Sequence, residues 1–248
     1  MARQKSQQTS RKASESPNGP RRTGALFIVG SPIGSPDDLT IRARAVLRQV
    51  SIVAAENPLV TQALLLKHRI SATVTSYGRR DEGKIAILLD RLKAGYDIAL
   101  VSDCGMPVIY DPGRRLVAAA RAAGYQVTVI PGPSALTAAA AISGESADRL
   151  LFLGRLPQSA QRLDRLFREL RREIGTTVMF APTSAVPRIL ERMRRILPDR
   201  KLTLALDMTK DDERVHQGDA RALLQQVRSF SKDSEVTLVL SGARKGWK

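Results

Sequence analysis

The sequence predicts an α/β fold made of two α/β domains, and three observations lead to this prediction. Short apolar runs alternate with helical patterns from Ala25 onward, as is typical of a parallel sheet covered by helices. Three of the runs end in loops broken by glycine and proline, which favours a binding edge at the carboxyl ends of the strands. The pattern changes within 143–150, where we place a domain boundary.

In the first domain, 24–145, each predicted strand is an apolar run and each predicted helix repeats apolar residues at helical spacing. The predicted strands are 25–29, 51–55, 72–76, 97–101 and 125–130, and the predicted helices are 38–50, 59–68, 82–94, 113–123 and 134–142. Asp37 or Asp38 is expected to cap the first helix, because a short acceptor side chain there satisfies free backbone N–H groups.

The second domain, 146–248, begins with a strand at 150–153 and an amphipathic helix whose apolar positions run from Leu163 to Ile174. Strands follow at 177–180, 202–206 and 235–240, with helices at 186–197 and 219–229. Twelve arginines and lysines stand against five acids in 151–201. A solvated helix face usually explains such a run, but the size of the excess favours a surface that faces RNA.

Composition limits the classes of partner. The formal net charge of +16 and the isoelectric point near 10.8 favour a polyanion such as RNA. The apolar runs are too short to span a membrane. Cys104 is the single cysteine, which excludes a disulfide framework and fits a reducing cytoplasm. His68 and His216 lie far apart, so no metal site is expected.

Residues 1–23 are predicted to form a disordered basic arm. Positions 1–22 carry six positive residues against one acid and almost no apolar residues, so this stretch cannot bury enough surface to fold. It lacks the apolar core of a signal peptide. A transit peptide is the alternative, but nothing amphipathic repeats.

The loops at 30–36, 102–107 and 131–135 restrict the ligand. Pro32 stands where a phosphate-binding turn needs a backbone N–H, and neither G-x-G-x-x-G nor G-x-x-x-x-G-K-[ST] occurs there. Dinucleotide and P-loop nucleotide sites are therefore disfavoured. Prolines in all three loops predict rigid, apolar walls that suit a flat, weakly charged ligand.

Several segments share an order and spacing with one known family. They are 27–34, 54–56, 99–107, 111–113, 131–135, 152–157, 205–210, 215–218 and 234–242. Together they resemble the tetrapyrrole methylase superfamily, and most closely its ribosomal branch, the 16S rRNA (cytidine-2′-O)-methyltransferases. The resemblance covers 24–242.

This resemblance implies a tetrapyrrole methylase-like fold in which S-adenosylmethionine lies in the cleft between the two α/β domains, usually within a cytoplasmic homodimer. It implies methylation of a cytidine ribose in small-subunit ribosomal RNA. By the matching motifs, the residues expected to line the cofactor pocket are Pro32, Asp103, Cys104, Gly105, Val108, Ser134 and Ala135 from the first domain and Phe180, Leu206 and Leu240 from the second.

A ribose hydroxyl is a weak nucleophile, so a base or a polarising cation should assist it. Glu56, at the end of the second strand, and Lys210 are the catalytic candidates. Each has a simpler alternative role, since Glu56 could hydrogen-bond a loop and Asp103 could be an ordinary turn residue. Cys104 fits a small apolar residue better than a nucleophile, because the sequence places no base beside it.

The sequence also departs from the family. Asn57-Pro58-Leu59 stands where the family has Asp-Thr-Arg, and Cys104 and Met106 replace Ala and Thr. We also expect this protein to lack the small helical domain that usually follows the second domain in the family. These departures leave two alternatives open. The first is an RNA- or ribosome-binding protein with impaired catalysis, and the second is a methylase of a small acidic tetrapyrrole.

Overall fold

The structure is a computed structural model, and it describes residues 22–78, 81, 83–227, 230 and 234–243. It contains two five-stranded sheets. The basic arm predicted at 1–23 lies outside the described residues except for Arg22 and Thr23. Arg22 forms an ion pair of 3.0 Å with Asp97.

The first sheet is parallel throughout, as predicted. Its strands are β1 (Leu26–Val29), β2 (Ile52–Ala55), β3 (Thr73–Ser76), β4 (Ile98–Val101) and β5 (Val127–Ile130), in the spatial order β3-β2-β4-β1-β5. Its helices are α1 (Ile41–Gln49), α2 (Pro58–Lys67), α3 (Gly83–Lys93), α4 (Arg114–Ala122) and α5 (Ala135–Ser143). This order brings the loops after β2, β4, β1 and β5 side by side at one edge.

The predicted cap of α1 is wrong. Asp37 and Asp38 lie in a separate 3-10 turn, Pro36–Asp38. The chain becomes extended after that turn, and α1 is capped by Thr40, whose hydroxyl accepts from Ala43 N at 3.1 Å. Leu39 and Thr40, the two extended residues between the turn and the helix, place both carboxylates out of capping position.

The second sheet is mixed, because only β6 and β7 are parallel neighbours. Its strands are β6 (Leu150–Arg155), β7 (Thr176–Pro182), β8 (Leu202–Leu206), β9 (Arg214–Gly218) and β10 (Glu235–Leu240), in the order β6-β7-β10-β8-β9. Its helices are α6 (Ala160–Leu170), α7 (Val186–Ile196) and α8 (Ala220–Gln226). β9 was not predicted from the sequence, because it is a polar edge strand whose neighbour in the sheet is β8.

Each face of the second sheet packs against an apolar layer. One face packs against α6, α7 and α8 in a large core that includes Phe167 and Leu190. The other face packs against α5 of the first half, through small buried residues such as Ala139, Ala140 and Val239. The boundary predicted within 143–150 falls between α5 and β6, so α5 precedes it in sequence yet packs against the second sheet.

None of the helices within the described ranges combines the length and apolarity needed to cross a membrane. The same ranges hold no cluster of three or more His, Cys, Asp or Glu side chains suited to a metal ion.

Candidate active site

Hydrogen bonds join the loops that follow β1 and β4. Ser31 N donates to Gly105 O at 2.9 Å, and Gly105 N donates to Pro32 O at 3.3 Å. The buried Ser31 hydroxyl donates to Ser102 O at 3.1 Å. Pro32 and Gly105, two predicted cofactor residues, are therefore held side by side.

The loops after β1 and β5 touch backbone to backbone. A Cβ atom at Gly30 would lie 2.7 Å from Gly132 Cα and 2.7 Å from Met106 Sδ, so this approach requires glycine. The contact fixes the loop that leads into Ser134 and Ala135 at the start of α5, where both residues are half-buried. The three predicted loops therefore form one continuous wall.

Glu56 and Asp103 follow the neighbouring strands β2 and β4 and are linked through the backbone. Asp103 Oδ1 accepts from Asn57 N at 3.0 Å, and Glu56 Oε2 accepts from Asp103 N at 3.5 Å. Burial raises the pKa of Asp103, although the Asn57 hydrogen bond opposes this shift. Asn57 Oδ1 also caps α2 by accepting from Leu59 N, and Pro58 occupies the first turn. Asn57 and Pro58 therefore begin a helix beside the site.

The second sheet reaches these loops through the turn between β8 and β9. Ser35 N donates to Thr209 Oγ1 at 2.8 Å, between residues 174 positions apart. Asp207 and Thr209 have φ angles of 47° and 67°, which residues other than glycine rarely adopt. Asp207 Oδ1 accepts from Glu235 N at 3.1 Å, so the strained turn is fixed to β10.

Lys210 is an ammonium at neutral pH. Its Nζ donates to Asp207 Oδ1 at 2.9 Å, which is the main reason why its pKa is raised. Burial alone would raise the pKa of Asp207, but hydrogen bonds from Ser234, Lys210 and the Glu235 backbone lower it overall. The Asp207–Lys210 ion pair stabilises the fold across the neutral range. This contribution is lost when pH falls through the lowered pKa of Asp207 or rises through the raised pKa of Lys210. Lys210 is therefore suited to act as a cation and not as a base.

Carboxylates from both halves surround Cys104. Although solvent reaches part of the residue, burial raises the pKa of its thiol to about 11, and the negative charges of Glu235, Asp111, Asp103 and Glu56 add to the shift. The thiol therefore stays protonated at neutral pH and is a poor nucleophile. The surrounding charges favour a ligand with a positive centre.

We predict that iodoacetamide alkylates Cys104 roughly 20-fold more slowly at pH 8 than it alkylates glutathione, because the loss of thiolate exceeds the gain in nucleophilicity. The rate should rise as pH approaches the raised pKa. Cys104 is the single cysteine, so intact-protein mass spectrometry measures the rate directly. A rate at pH 8 equal to that of glutathione would show that the thiol is not desolvated.

Three aromatic rings meet at the junction of the two halves. Phe180, a predicted cofactor residue, meets Phe152 edge-on with a centroid distance of 5.1 Å. Tyr110, from the loop after β4, meets Phe180 edge-on at 6.4 Å. Sequence reasoning missed Tyr110, and the available signal was an aromatic residue beside the loop at 102–107 in a chain with only 4% aromatic residues.

Three other predicted cofactor residues direct their side chains away from the loops. Leu206 and Leu240 lie in the core between the second sheet and its helices, and Val108 packs into the core of the first sheet. Leu206 pairs with Val236 near the site, whereas Leu240 pairs with Leu202 at the far end of β10. The structure therefore does not bring Leu240 to the other predicted residues. Leu206 lies near them, but only its backbone is placed to contact a ligand at the loops.

A cavity of about 340 Å³ adjoins the wall on the side of α2. Pro32, Pro36, Leu64, Lys67 and Asp103 are among its lining residues, so it is largely apolar with one carboxylate and one ammonium group. A wider hollow of about 800 Å³ lies between the end of α5 and the start of β8, and none of the predicted site residues lines it. The chemistry is therefore concentrated at the loop edge.

Comparison with known proteins shows which family the chain belongs to. Residues 25–224 match the sequence profile of the tetrapyrrole (corrin/porphyrin) methylases. The chain is 39% identical over 220 residues to the ribosomal RNA small subunit methyltransferase I of Thermotoga maritima, covering 88% of this chain and 99% of that protein. It is 36% identical to the protein of the same name from Micromonospora olivasterospora, covering 89% of this chain and 71% of that protein.

Solved structures share the fold at lower identity. A cobalt precorrin-4 methyltransferase superposes with a TM-score of 0.65 and 20% identity, over 90% of this chain and 96% of that one. A uroporphyrin-III C-methyltransferase from Thermus thermophilus, complexed with S-adenosylhomocysteine, superposes with a TM-score of 0.60 and 19% identity, over 88% of this chain and 97% of that one. The chain therefore belongs to the tetrapyrrole methylase family, as its loop motifs predicted.

Proposed function

We propose that this protein is an S-adenosylmethionine-dependent methyltransferase that methylates the 2′-hydroxyl of a cytidine ribose in small-subunit ribosomal RNA. The observation that carries the proposal is the joined wall of loops after β1, β4 and β5, in a chain 39% identical to a protein named as a small-subunit ribosomal RNA methyltransferase. The net charge of +16 suits an RNA partner.

The residues at this wall fit a sulfonium cofactor. Glu56, Asp103, Asp111 and Glu235 place negative charge around Cys104, where a positive centre is favoured. Pro32 and the ring of Phe180 offer apolar surface for the uncharged parts of the cofactor. When bound, S-adenosylmethionine supplies an electrophilic methyl group, so the task of the protein is to position the acceptor and shape the electrostatics.

Glu56 is our candidate base. It stands at the carboxyl edge of β2, next to the loop that carries Asp103, and a carboxylate there can accept the proton of a ribose hydroxyl. Lys210 fits that role less well, because its hydrogen bond to Asp207 raises its pKa and keeps it an ammonium, so we assign it a charge role. It holds Asp207 at 2.9 Å and faces Glu235 at 3.8 Å, which ties the turn to the site.

The arginines of α6 and α7 support an RNA partner, although several are paired with acids. Arg192 binds Asp164 at 2.5 Å, and Arg194 binds Glu191 at 2.6 Å. By contrast, Arg171 and Arg172, at the end of α6, are exposed and form no ion pair within the described ranges. These free cations are available to meet phosphates.

The first test is calorimetric titration with S-adenosylmethionine, followed by transfer of a labelled methyl group to small ribosomal subunits from cells that lack the gene. We expect micromolar affinity and a new ribose methyl on one cytidine, located by mass spectrometry. Absence of cofactor binding would overturn the methyltransferase proposal. If the protein methylates a porphyrinoid and RNA does not inhibit that reaction, the acceptor is a tetrapyrrole and not RNA.

The Glu56→Gln variant is expected to lower the turnover number about 100-fold, because general base catalysis typically contributes this much or more. The dissociation constant for S-adenosylmethionine should change less than about twofold. Glu191→Gln, on the outer face of α7, is the matched control and should keep wild-type turnover. Wild-type turnover in Glu56→Gln would exclude Glu56 as the base.

The homodimer and the cytoplasmic location stay predictions. Light scattering of the purified protein tests the first, and cell fractionation tests the second.

A further inference from the structure

The strongest unexplained feature of the site is the loop that carries Tyr110. Val108 and Tyr110 have φ angles of 76° and 70°, a conformation that side chains with a Cβ disfavour and that tends to persist at functional sites. The strained backbone places an aromatic ring at the junction of the two halves, where 41% of the residue is exposed. A large aromatic side chain would usually be buried if it served packing alone.

The ring is fixed on its protein side. It forms a T-shaped pair with Phe180, with ring centroids 6.4 Å apart and an interplanar angle of 81°. It also lies against the backbone of Gly154, where a Cβ atom would be 2.2 Å from Tyr110 Cδ2. Phe180 is itself braced by Phe152. A rigid ring that solvent still reaches provides a surface on which a flat group can stack.

Two exposed arginines belong to the segments that carry or contact the ring. Arg155 directly follows Gly154, and its backbone pairs with Phe180 across β6 and β7. Arg114 lies four positions after Tyr110, at the start of α4. Both are exposed, and neither forms an ion pair within the part of the chain that the structure describes. An exposed ring with two exposed arginines close to it along the chain matches the repeating unit of single-stranded RNA, a base and its phosphates.

We propose that Tyr110 is a stacking platform for an unpaired base of the RNA substrate, with Arg155 and Arg114 contacting the adjacent phosphates. This inference rests on the proposed function, since it concerns the acceptor side of the same site. It assigns a positioning role, because the ring holds a base and takes no part in methyl transfer.

The test compares variants by fluorescence anisotropy with a labelled single-stranded fragment of small-subunit ribosomal RNA. Tyr110→Ala should weaken binding about tenfold, within the range that loss of one stacked base produces. Tyr110→Leu keeps apolar contact with Phe180 but lacks an aromatic face, and it should weaken binding as much. Tyr110→Phe should bind within about twofold of wild type. Tyr96→Ala removes a ring of similar exposure, 44%, before β4, and should have no effect.

The salt dependence separates stacking from charge. Stacking releases no counterions, so Tyr110→Ala should keep the wild-type slope of log affinity against log salt, whereas Arg155→Gln should reduce that slope by about 1. Affinity for S-adenosylmethionine should stay within about twofold in every variant. Wild-type RNA binding by Tyr110→Leu, or a loss confined to cofactor binding, would overturn the proposal. Failure of the wild-type protein to bind either ligand would overturn the proposed function instead.

Discussion

Gly30→Ala is expected to weaken binding of S-adenosylmethionine at least tenfold and to lower the free energy of unfolding by about 2 kcal/mol. The added methyl group would lie 2.7 Å from Gly132 Cα and 2.8 Å from Gly132 N. Backbone atoms cannot turn aside as a flexible side chain can, so the loops after β1 and β5 must separate. A tenfold loss corresponds to about 1.4 kcal/mol, which a small displacement of a cofactor wall is enough to produce.

Calorimetry for the cofactor and urea denaturation for stability measure the two effects. Gly83→Ala is the matched control, because a Cβ there meets nothing within 4 Å. It begins α3, where alanine is the better helix former, so this variant should be as stable as wild type or slightly more so. Unchanged cofactor affinity in Gly30→Ala would show that the close contact does not shape the pocket.

Arg200→Met is expected to lower the free energy of unfolding by about 3 kcal/mol while leaving cofactor affinity unchanged. The guanidinium is buried and donates from Nε to Ser241 O at 2.7 Å and from Nη1 to Leu170 O at 2.9 Å, with Nη2 also on Ser241 O. It thereby ties the end of α6 to the end of β10. Methionine fills similar volume but leaves Ser241 O without its donor and removes one of the two hydrogen bonds to Leu170 O, which still accepts from Glu173 N at 3.1 Å. Leaving a buried acceptor without a donor costs about 1–3 kcal/mol, and the lost charge-assisted bond to Leu170 O adds to this.

The charge of Arg200 makes the arrangement unusual. Burial lowers the pKa of the guanidinium, and the negative charges of Glu173 and Glu145 oppose that shift. Arg200→Lys should recover part of the stability, since an ammonium can reach one carbonyl but lacks the planar fork that spans two. Arg172→Met, at an exposed arginine, should stay within about 0.5 kcal/mol of wild type in urea denaturation. A loss below 1 kcal/mol in Arg200→Met would mean that water replaces the guanidinium.

The sequence predicted what depends on local pattern and on loop chemistry. The buried strands β1 and β4 are apolar runs in the sequence, so they could be predicted. Pro32 and Gly105 end those runs, which correctly indicated the two loops that the structure joins. The direction of a side chain is harder to predict. The run that contains Leu206 is buried on both faces, so no alternation of polar and apolar residues shows which side faces the cleft.

Contacts between distant segments were also beyond sequence reasoning. The raised pKa of Lys210 comes mainly from its hydrogen bond to Asp207 in a strained turn, and that turn is held by Ser35 from the other half of the chain. Nothing in the local sequence around Tyr110 predicts that its ring meets Phe180, because the two are brought together by the packing of two sheets. Such contacts depend on tertiary structure and carry no periodic signal.

The position of α5 has a consequence for how the protein is made. Its buried alanines, Ala139 and Ala140, pack against strands of the second sheet, which the ribosome synthesises only afterwards. At typical rates of about 5–20 residues per second, α5 waits on the order of ten seconds before β10 exists to cover it. During that interval its apolar face is available to chaperones or to other nascent chains. A fragment ending after α5 would keep that face uncovered permanently, so gene fusions and split versions of this protein should place their junction elsewhere.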